Sequence, residues 1–299
     1  MIQNLELSSA CRIICGIVMP QTPLIIKADG RREPFDADKL RSSLKRAGAS
    51  SEAIEKVVNH VDRELEDGIT THRIYQHAFE VLRRSERQVA ARYSLRRALL
   101  LFGPTGFPFE MFLSELFKAR GYRTKTRQLL QGSCVAHEID VLAWNEEKLM
   151  MIEAKFHNAV GEKSDLKTAL YVKARYDDLI EREFEVDNRR RQLTEGWLVT
   201  NTKFTLNAVQ YALCSGLTLL GWNYPELGNL RQLVEDERLH PITCLTTLSA
   251  RDKNLLLSRD IVLCRTLAEL GVKKLEEMGI TLDEARLAVS EVRRLFGSQ

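Results

Sequence analysis

Two rhythms of apolar residues alternate along this chain, and each change of rhythm marks a change of element. Leu24 to Lys27 and Arg32 to Phe35 are short extended runs around Ala28-Asp29-Gly30-Arg31, whose Asp-Gly signal predicts a hairpin. Asp36 then predicts the cap of a helix with Leu40, Leu44 and Ala47 on its apolar face and Gly48 as its stop. Ile54, Val57, Val58, Val61 and Leu65 predict a second helix, and Ile74, Ala78, Val81 and Leu82 a third after Thr71. Ser85-x-x-Gln88 reads as a capping box opening a fourth helix that ends before Gly103. The breakers from Gly103 to Pro108 mark a domain boundary.

Beyond that boundary Phe109, Phe112, Leu113, Leu116 and Phe117 predict one buried helix face, with Glu110 at its edge and Gly121 at its end. A strand is expected near Tyr122 to Gln128. Apolar residues then run from Val135 to Trp144, break at Asn145-Glu146-Glu147-Lys148 and resume from Leu149 to Phe156. Taking the break as a hairpin loop faces Trp144 with Leu149, Asp140 with Glu153 and Glu138 with Lys155. Side chains alternate along a strand, so Glu138, Asp140, Glu153 and Lys155 share one face. Opposed residues have Cβ atoms roughly 4.5–5.5 Å apart, so the two carboxylates repel unless a cation lies between them. A long helix capped by Ser164 and running to Ile180 follows. The strands Trp197 to Thr200 and Leu217 to Leu220 bracket a helix from Thr205 to Cys214, an order that favours a parallel crossover. The expectation is an α/β protein with one mixed sheet flanked by helices, preceded by a small, mostly helical unit with a hairpin. Residues 225–299 add a small helical region in which Thr281-x-x-Glu284 caps a closing helix carrying Ala285, Val289, Val292 and Leu295.

Composition narrows the classes. With 299 residues and 44% hydrophobic content the chain can hold two or three ordinary domains. A net charge of +3 does not by itself point to nucleic acid, so local clusters have to carry any such argument. The six cysteines form no CxxC pair or regular framework, as suits reduced thiols in a cytoplasmic protein, and the six histidines lack zinc-ligand spacing. CRIICGIVM near the front is too short to span a membrane, so no membrane partner is expected. Residues 1–22 read as an extension ahead of the patterned sequence, with Met19 as the candidate start.

The run IIKADGRREPFDADKL at residues 25–40, followed by helices of fitting length and by ARYSLRRALL before Gly103, resembles the ATP-cone of ribonucleotide reductases and their repressors. The resemblance covers roughly 24–102 within a domain expected at 23–103. It implies that Lys27, Arg31, Arg32 and Lys39 hold the phosphates of ATP or dATP as an effector, with Glu33 and Phe35 shaping the pocket. Cations beside backbone donors suit a polyphosphate. Arg83, Arg84, Arg87, Arg92, Arg96 and Arg97 are the densest basic cluster, and Arg92, Arg96 and Arg97 are candidates for DNA-backbone contact beside the blander reading of a solvated face.

Asp140 followed by Glu153-Ala154-Lys155 resembles the PD-(D/E)xK nuclease signature on a restriction-endonuclease-like fold. Glu110 on the preceding helix makes it most similar to Mrr-type enzymes. The likeness spans about 105–224, within a domain expected at 104–224, and departs from the signature at Ile139, where a proline would stand. It implies a metal-dependent DNA endonuclease with Glu110, Asp140, Glu153 and Lys155 as the catalytic set and Mg²⁺ or Mn²⁺ held by Asp140 and Glu153. The nucleotide-binding unit would modulate it. The chemistry agrees: hard cations take oxygen ligands, and a bound cation acidifies water. Two alternatives stand beside it, a nucleotide-sensing DNA-binding regulator with a non-cleaving domain and an RNA-directed nuclease. Residues 225–299, with Gly271 and Gly279 between helices, faintly resemble a helix-hairpin-helix DNA clamp, against the plainer reading of a packing domain. By analogy, cutting both strands of DNA would call for a homodimer or higher oligomer.

Overall fold

The computed structural model describes residues 22–27, 30–159 and 161–296. The N-terminal extension with Met19, and Asp29 of the first turn, lie outside the described residues.

The N-terminal unit begins with strands β1 (Leu24–Ile26) and β2 (Arg32–Pro34), which pair antiparallel with Ile25 opposite Glu33. Helix α1 (Ala37–Arg46) starts where the sequence predicts, because the Asp36 carboxylate accepts from the backbone N–H groups of Asp38 and Lys39 at 3.0 and 3.2 Å. Helices α2 (Ser51–Glu64) and α3 (Thr71–Ser85) are capped by Ser50 and Thr70. The predicted capping box at Ser85 does not form: the Ser85 hydroxyl donates backward to the Val81 carbonyl, and α4 (Arg87–Tyr93) has no side-chain cap. The fourth helix is also divided, with α5 (Leu95–Leu100) beginning after Ser94. Leu44, Val57, Ala78, Leu82 and Ala90 lie at the centre of this unit's core.

Helix α6 (Phe107–Ala119) leads into β3 (Arg123–Gln131), β4 (Ala136–Trp144) and β5 (Leu149–Lys155). After the two-residue strand β6 (Lys163–Ser164) comes α7 (Leu166–Leu179). Its cap is Asp165, not Ser164 as the sequence suggests, since Ser164 is taken into the strand. A hairpin of β7 (Glu183–Val186) and β8 (Arg189–Gln192) turns through Asp187 and Asn188, both at positive φ. Then follow β9 (Glu195–Thr200), β10 (Lys203–Phe204), α8 (Leu206–Ser215) and β11 (Thr218–Leu220). The main sheet has the order β11-β9-β5-β4-β3, antiparallel from β3 to β5 and parallel from β5 through β9 to β11, the mixed α/β arrangement expected. The crossover through α8 is the parallel unit read from the pattern.

Helices α7 and α8 cover one face of this sheet around Met151, Val172, Leu179 and Leu198. The other face packs on α6, and here the core continues into the C-terminal region: α9 (Leu230–Asp236), a 3₁₀ turn at Ile242–Cys244, α10 (Ala250–Leu257), α11 (Cys264–Glu277) and α12 (Leu282–Phe296). Phe102, Phe112, Ile242, Leu263 and Val292 belong to that one cluster, so the C-terminal helices are seated on the linker and α6. Thr281 caps α12 as expected, its hydroxyl accepting from the Glu284 N–H at 3.3 Å, but the Glu284 side chain takes the Thr281 hydroxyl at 2.6 Å. Among the described residues no helix is long and apolar enough to cross a membrane.

Candidate functional site

Two polar constellations emerge. In the first, the β1–β2 hairpin carries Glu33 toward the start of α1. The Glu33 carboxylate takes Lys27 Nζ at 2.8 Å and Lys39 Nζ at 3.3 Å, and Lys39 also reaches Asp36 at 3.7 Å. Its hydrogen bond to Lys27, followed by that to Lys39, holds Glu33 below the usual carboxylate range. Lys27, Glu33 and Lys39 thus meet although Lys27 and Lys39 lie 12 positions apart in sequence. Arg31 and Arg32 are exposed at the hairpin, and Phe35 is half-buried against the unit's core. An open pocket of about 360 Å³ beside them is lined by Asp36, Asp38, Lys39, Ser42 and Arg46.

Of the candidate DNA-contacting arginines, Arg92 is exposed while Arg96 and Arg97 are half-buried. Arg92 Nε donates to the Ala47 carbonyl at the end of α1 at 2.9 Å. Arg97 lies over the Tyr75 ring and 2.7 Å from His72 Nδ1. Arg96 has a buried, unpartnered Nε, and burial lowers its pKa.

The second constellation is the β4–β5 hairpin. From Val141 to Trp144 its register is the one read from the sequence, with Trp144 opposite Leu149 and Val141 opposite Ile152, but the expected pairs Asp140 with Glu153 and Glu138 with Lys155 are not formed in the ladder. The ladder stops at Val141 although both strands continue. One step farther, Asp140 Oδ2 accepts from the Ala154 backbone N–H at 2.7 Å, so a side chain replaces the backbone partner where the strands part. Glu153 is met from α7 by Arg175, whose Nη1 lies 2.5 Å from Oε2. Glu110 projects from α6, buried, and its Oε2 takes Arg127 Nε of β3 at 3.2 Å. Arg127 in turn lies over the Phe107 ring at 4.4 Å. Lys155 ends β5 opposite Thr200 and is exposed.

The electrostatics tie these carboxylates together. Burial, then the Asp140 charge, pushes Glu153 up to about 7 against the pull of Arg175. Burial likewise raises Asp140, with its Ala154 hydrogen bond opposing. Glu110 is raised by burial and by Asp140. Three acids that each resist ionisation are therefore placed within one another's field, flanked by two arginines. Sequence reasoning brought Glu110, Asp140 and Glu153 together but missed Arg127 and Arg175. Glu138 is exposed on β4 and contributes its charge to Glu110 and Asp140.

Among the described residues no group of three or more His, Cys, Asp or Glu side chains is set to enclose a metal ion. Asp140 and Glu153 each keep a second carboxylate oxygen, and Mg²⁺ is commonly bound through one or two carboxylates while retaining waters and substrate oxygens. The donor set fits a hard cation held in that open manner.

His137, unassigned in the sequence, is bound to Asp178 of α7 at 2.8 Å; Asp178 also accepts from the backbone of Cys134 at 2.7 Å and Val135 at 3.3 Å. His157, just past β5, is clamped by Glu162 at 2.5 Å and Ser164 at 3.1 Å, while Asn201 bonds its backbone N–H and carbonyl at 2.9 and 2.7 Å. Both are supports that fix the ends of the strands bearing the acids.

The hairpin, the helices behind it and the lysines converging on Glu33 define the N-terminal unit as an ATP-cone, and the model of the ATP cone domain matches residues 23–99. The AF1548-like C-terminal model matches residues 240–296. An uncharacterized protein of Archaeoglobus fulgidus is 37% identical over 188 residues, 62% of this chain and 100% of that one. The crystal structure of AF1548, a protein of unknown function, is matched over 65% of this chain and 100% of its own, with 34% identity and a TM-score of 0.55. The chain belongs to the AF1548-like family. It is also 43% identical over 67 residues to the transcriptional repressor NrdR of Gluconobacter oxydans, 20% of this chain and 40% of that repressor. A match to NrdR of Thermomicrobium roseum has the same identity over 53 residues and covers 33% of the relative. The chain therefore spans well under half of either repressor.

Proposed function

We propose that this chain is a nucleotide-sensing protein that acts on DNA, its ATP-cone binding ATP or dATP and its central domain hydrolysing phosphodiesters with a divalent metal. The observation that supports the hydrolytic part is the meeting of Asp140, Glu153 and Glu110, all three raised by burial and the two glutamates also by the Asp140 charge, with Lys155 ending β5 two residues after Glu153. A bound Mg²⁺ or Mn²⁺ would supply a water acidified toward hydroxide and a positive charge facing the phosphate. Asp140 and Glu153 would hold it through their remaining oxygens. The Ala154 N–H fixes the Asp140 carboxylate, and Arg175 fixes that of Glu153. Lys155, exposed at the strand end, is free to orient the attacking water and to stabilise charge on the phosphoryl oxygens. Glu110, held by Arg127, is placed to accept a proton or a hydrogen bond from that water.

A second reading has the cone sensing ATP or dATP while the central domain holds DNA without cutting it. The comparisons favour it over cleavage, because relatives with a stated role include transcriptional repressors and that likeness covers a stretch of cone size. Glu153 already carries Arg175 as a counter-ion, which a non-cleaving site can keep indefinitely.

Incubating the purified chain with plasmid DNA and with a structured RNA, with and without Mg²⁺ and with and without ATP or dATP, separates these readings. Mg²⁺-dependent nicking of the plasmid that changes with nucleotide supports the first. Binding of DNA without cleavage in any metal supports the second, and cleavage of the RNA alone reassigns the substrate.

A further inference from the structure

Arg175 is unlike the other cations near the hairpin. It is only 8% exposed, yet its Nε is buried without any hydrogen-bond partner. Nη1 is used on Glu153, and the guanidinium lies 5.4 Å from the centre of the Tyr171 ring, itself 63% exposed. A buried donor left unpaired costs about 1–3 kcal/mol, more when charged, and folded proteins seldom retain one without a use.

The helix that carries Arg175 is fixed on both sides of it. Asp178 of α7 binds Cys134, Val135 and His137 at the β3–β4 turn. A Cβ on Gly132 there would stand 2.1 Å from the Asp178 carboxylate, so only glycine admits this approach. Tyr176 packs so tightly on Gly196 of β9 that a Cβ would meet its ring at 2.8 Å. Arg175 therefore points at Glu153 by the placement of α7 as a whole. Arg127 is already engaged with Glu110, and Lys155 is exposed, so Arg175 is the buried cation that retains a free donor beside the acids.

A guanidinium presents its N–H groups in a planar fork that matches two oxygens of a phosphate, which a lysine ammonium does not reproduce. We propose that Arg175 binds a backbone phosphate of the nucleic acid at the Asp140–Glu153 site, its guanidinium fork donating to a phosphate oxygen while Tyr171 backs it. The proposal rests on the reading of this hairpin as a DNA-directed site. Glu153 keeps the guanidinium aimed before the phosphate arrives. In the wild-type chain the fork, and not the charge alone, sets the strength of binding.

The test is fluorescence anisotropy of labelled duplex DNA with the full chain in the absence of divalent metal, over a range of salt, for wild type, Arg175→Lys and Arg175→Gln. Thermal melts run alongside. Arg175→Lys keeps the charge beside Glu153 and is the deciding variant. It should fold and weaken binding about tenfold with an almost unchanged salt dependence. Arg175→Gln should weaken it further and lower the slope of log K against log salt by about 1. Folded Arg175→Lys that binds like wild type overturns the proposal and leaves Arg175 a structural counter-ion, as does a wild-type chain with no affinity for DNA. Binding that depends on Arg175 in a chain that cleaves nothing would retire the hydrolytic reading while supporting this one.

Discussion

Replacing Asp140 by Asn should make the protein more stable at alkaline pH while abolishing metal binding. Asn keeps a carbonyl oxygen able to accept from the Ala154 N–H, the contact that Asp140 makes at 2.7 Å, but it removes a negative charge. That charge is the second cause, after burial, of the rise of Glu153 to about 7. From an ordinary value of 4.5, at about 1.4 kcal/mol for each pH unit, the whole rise corresponds to roughly 3 kcal/mol. The Asp140 share is on the order of 1 kcal/mol, because burial comes first and Arg175 acts in opposition. The sign follows from proton counting. A carboxyl group whose pKa is raised on folding binds more protons in the native state, so its favourable contribution is present below 4.5 and is lost as pH rises through about 7. At pH 8 Asp140 and Glu153 are both charged and repel, whereas at pH 5 Glu153 is protonated. Calorimetric melts of Asp140→Asn should therefore lie about 2–4 °C above wild type at pH 8 and close to it at pH 5. A carbon-detected titration should show the Glu153 pKa falling. An equal loss of stability at both pH values would refute the reasoning and make Asp140 a clamp on the strand end.

In the cone, Lys39→Ala should weaken ATP or dATP binding about tenfold by calorimetry, since a charge-assisted phosphate contact contributes on the order of 1.4 kcal/mol. Unchanged affinity would move the phosphates away from the Lys27–Glu33–Lys39 cluster. In the C-terminal region, His240 is buried against Phe296 with both ring nitrogens unpartnered, and burial pulls its pKa down to about 4. The neutral ring is the folded form, so its contribution is present above 6.5 and is lost as pH falls through about 4. His240→Leu should recover about 2 kcal/mol at pH 5 relative to pH 8, and melts showing no pH-dependent gain would contradict it.

The hairpin was legible because a polar break of four residues, Asn145 to Lys148, fixes the register, and register fixes which side chains share a face. Asp36 was legible as a cap because a carboxylate directly ahead of a helix is within reach of its first backbone N–H groups. The arginines that complete the site were not. Arg175 lies 22 residues beyond Glu153 on another element, and nothing in the pattern of α7 reports that its carrier is pinned by Asp178 and by the glycine opposite Tyr176. The β7–β8 hairpin was missed despite Asp187-Asn188, two residues that tolerate positive φ, because Arg189–Gln192 carries no apolar residue to show a strand alternation. Ser85 and Ser164 were read as caps from spacing alone. Tertiary pairing placed Ser164 in a strand, and the Ser85 hydroxyl took the nearer carbonyl of its own helix.

Lys155 offers the most direct test of a cleaving site, because it is exposed and ends its strand, so its removal should cost little stability. The measurement is the rate of Mg²⁺-dependent plasmid nicking by Lys155→Ala, with DNA and metal binding measured on the same preparation. The expected result is retained metal binding, DNA binding within a few-fold of wild type, and a loss of at least a hundredfold in nicking. Nicking that survives the substitution, or a wild type that binds DNA and metal without nicking, would contradict it.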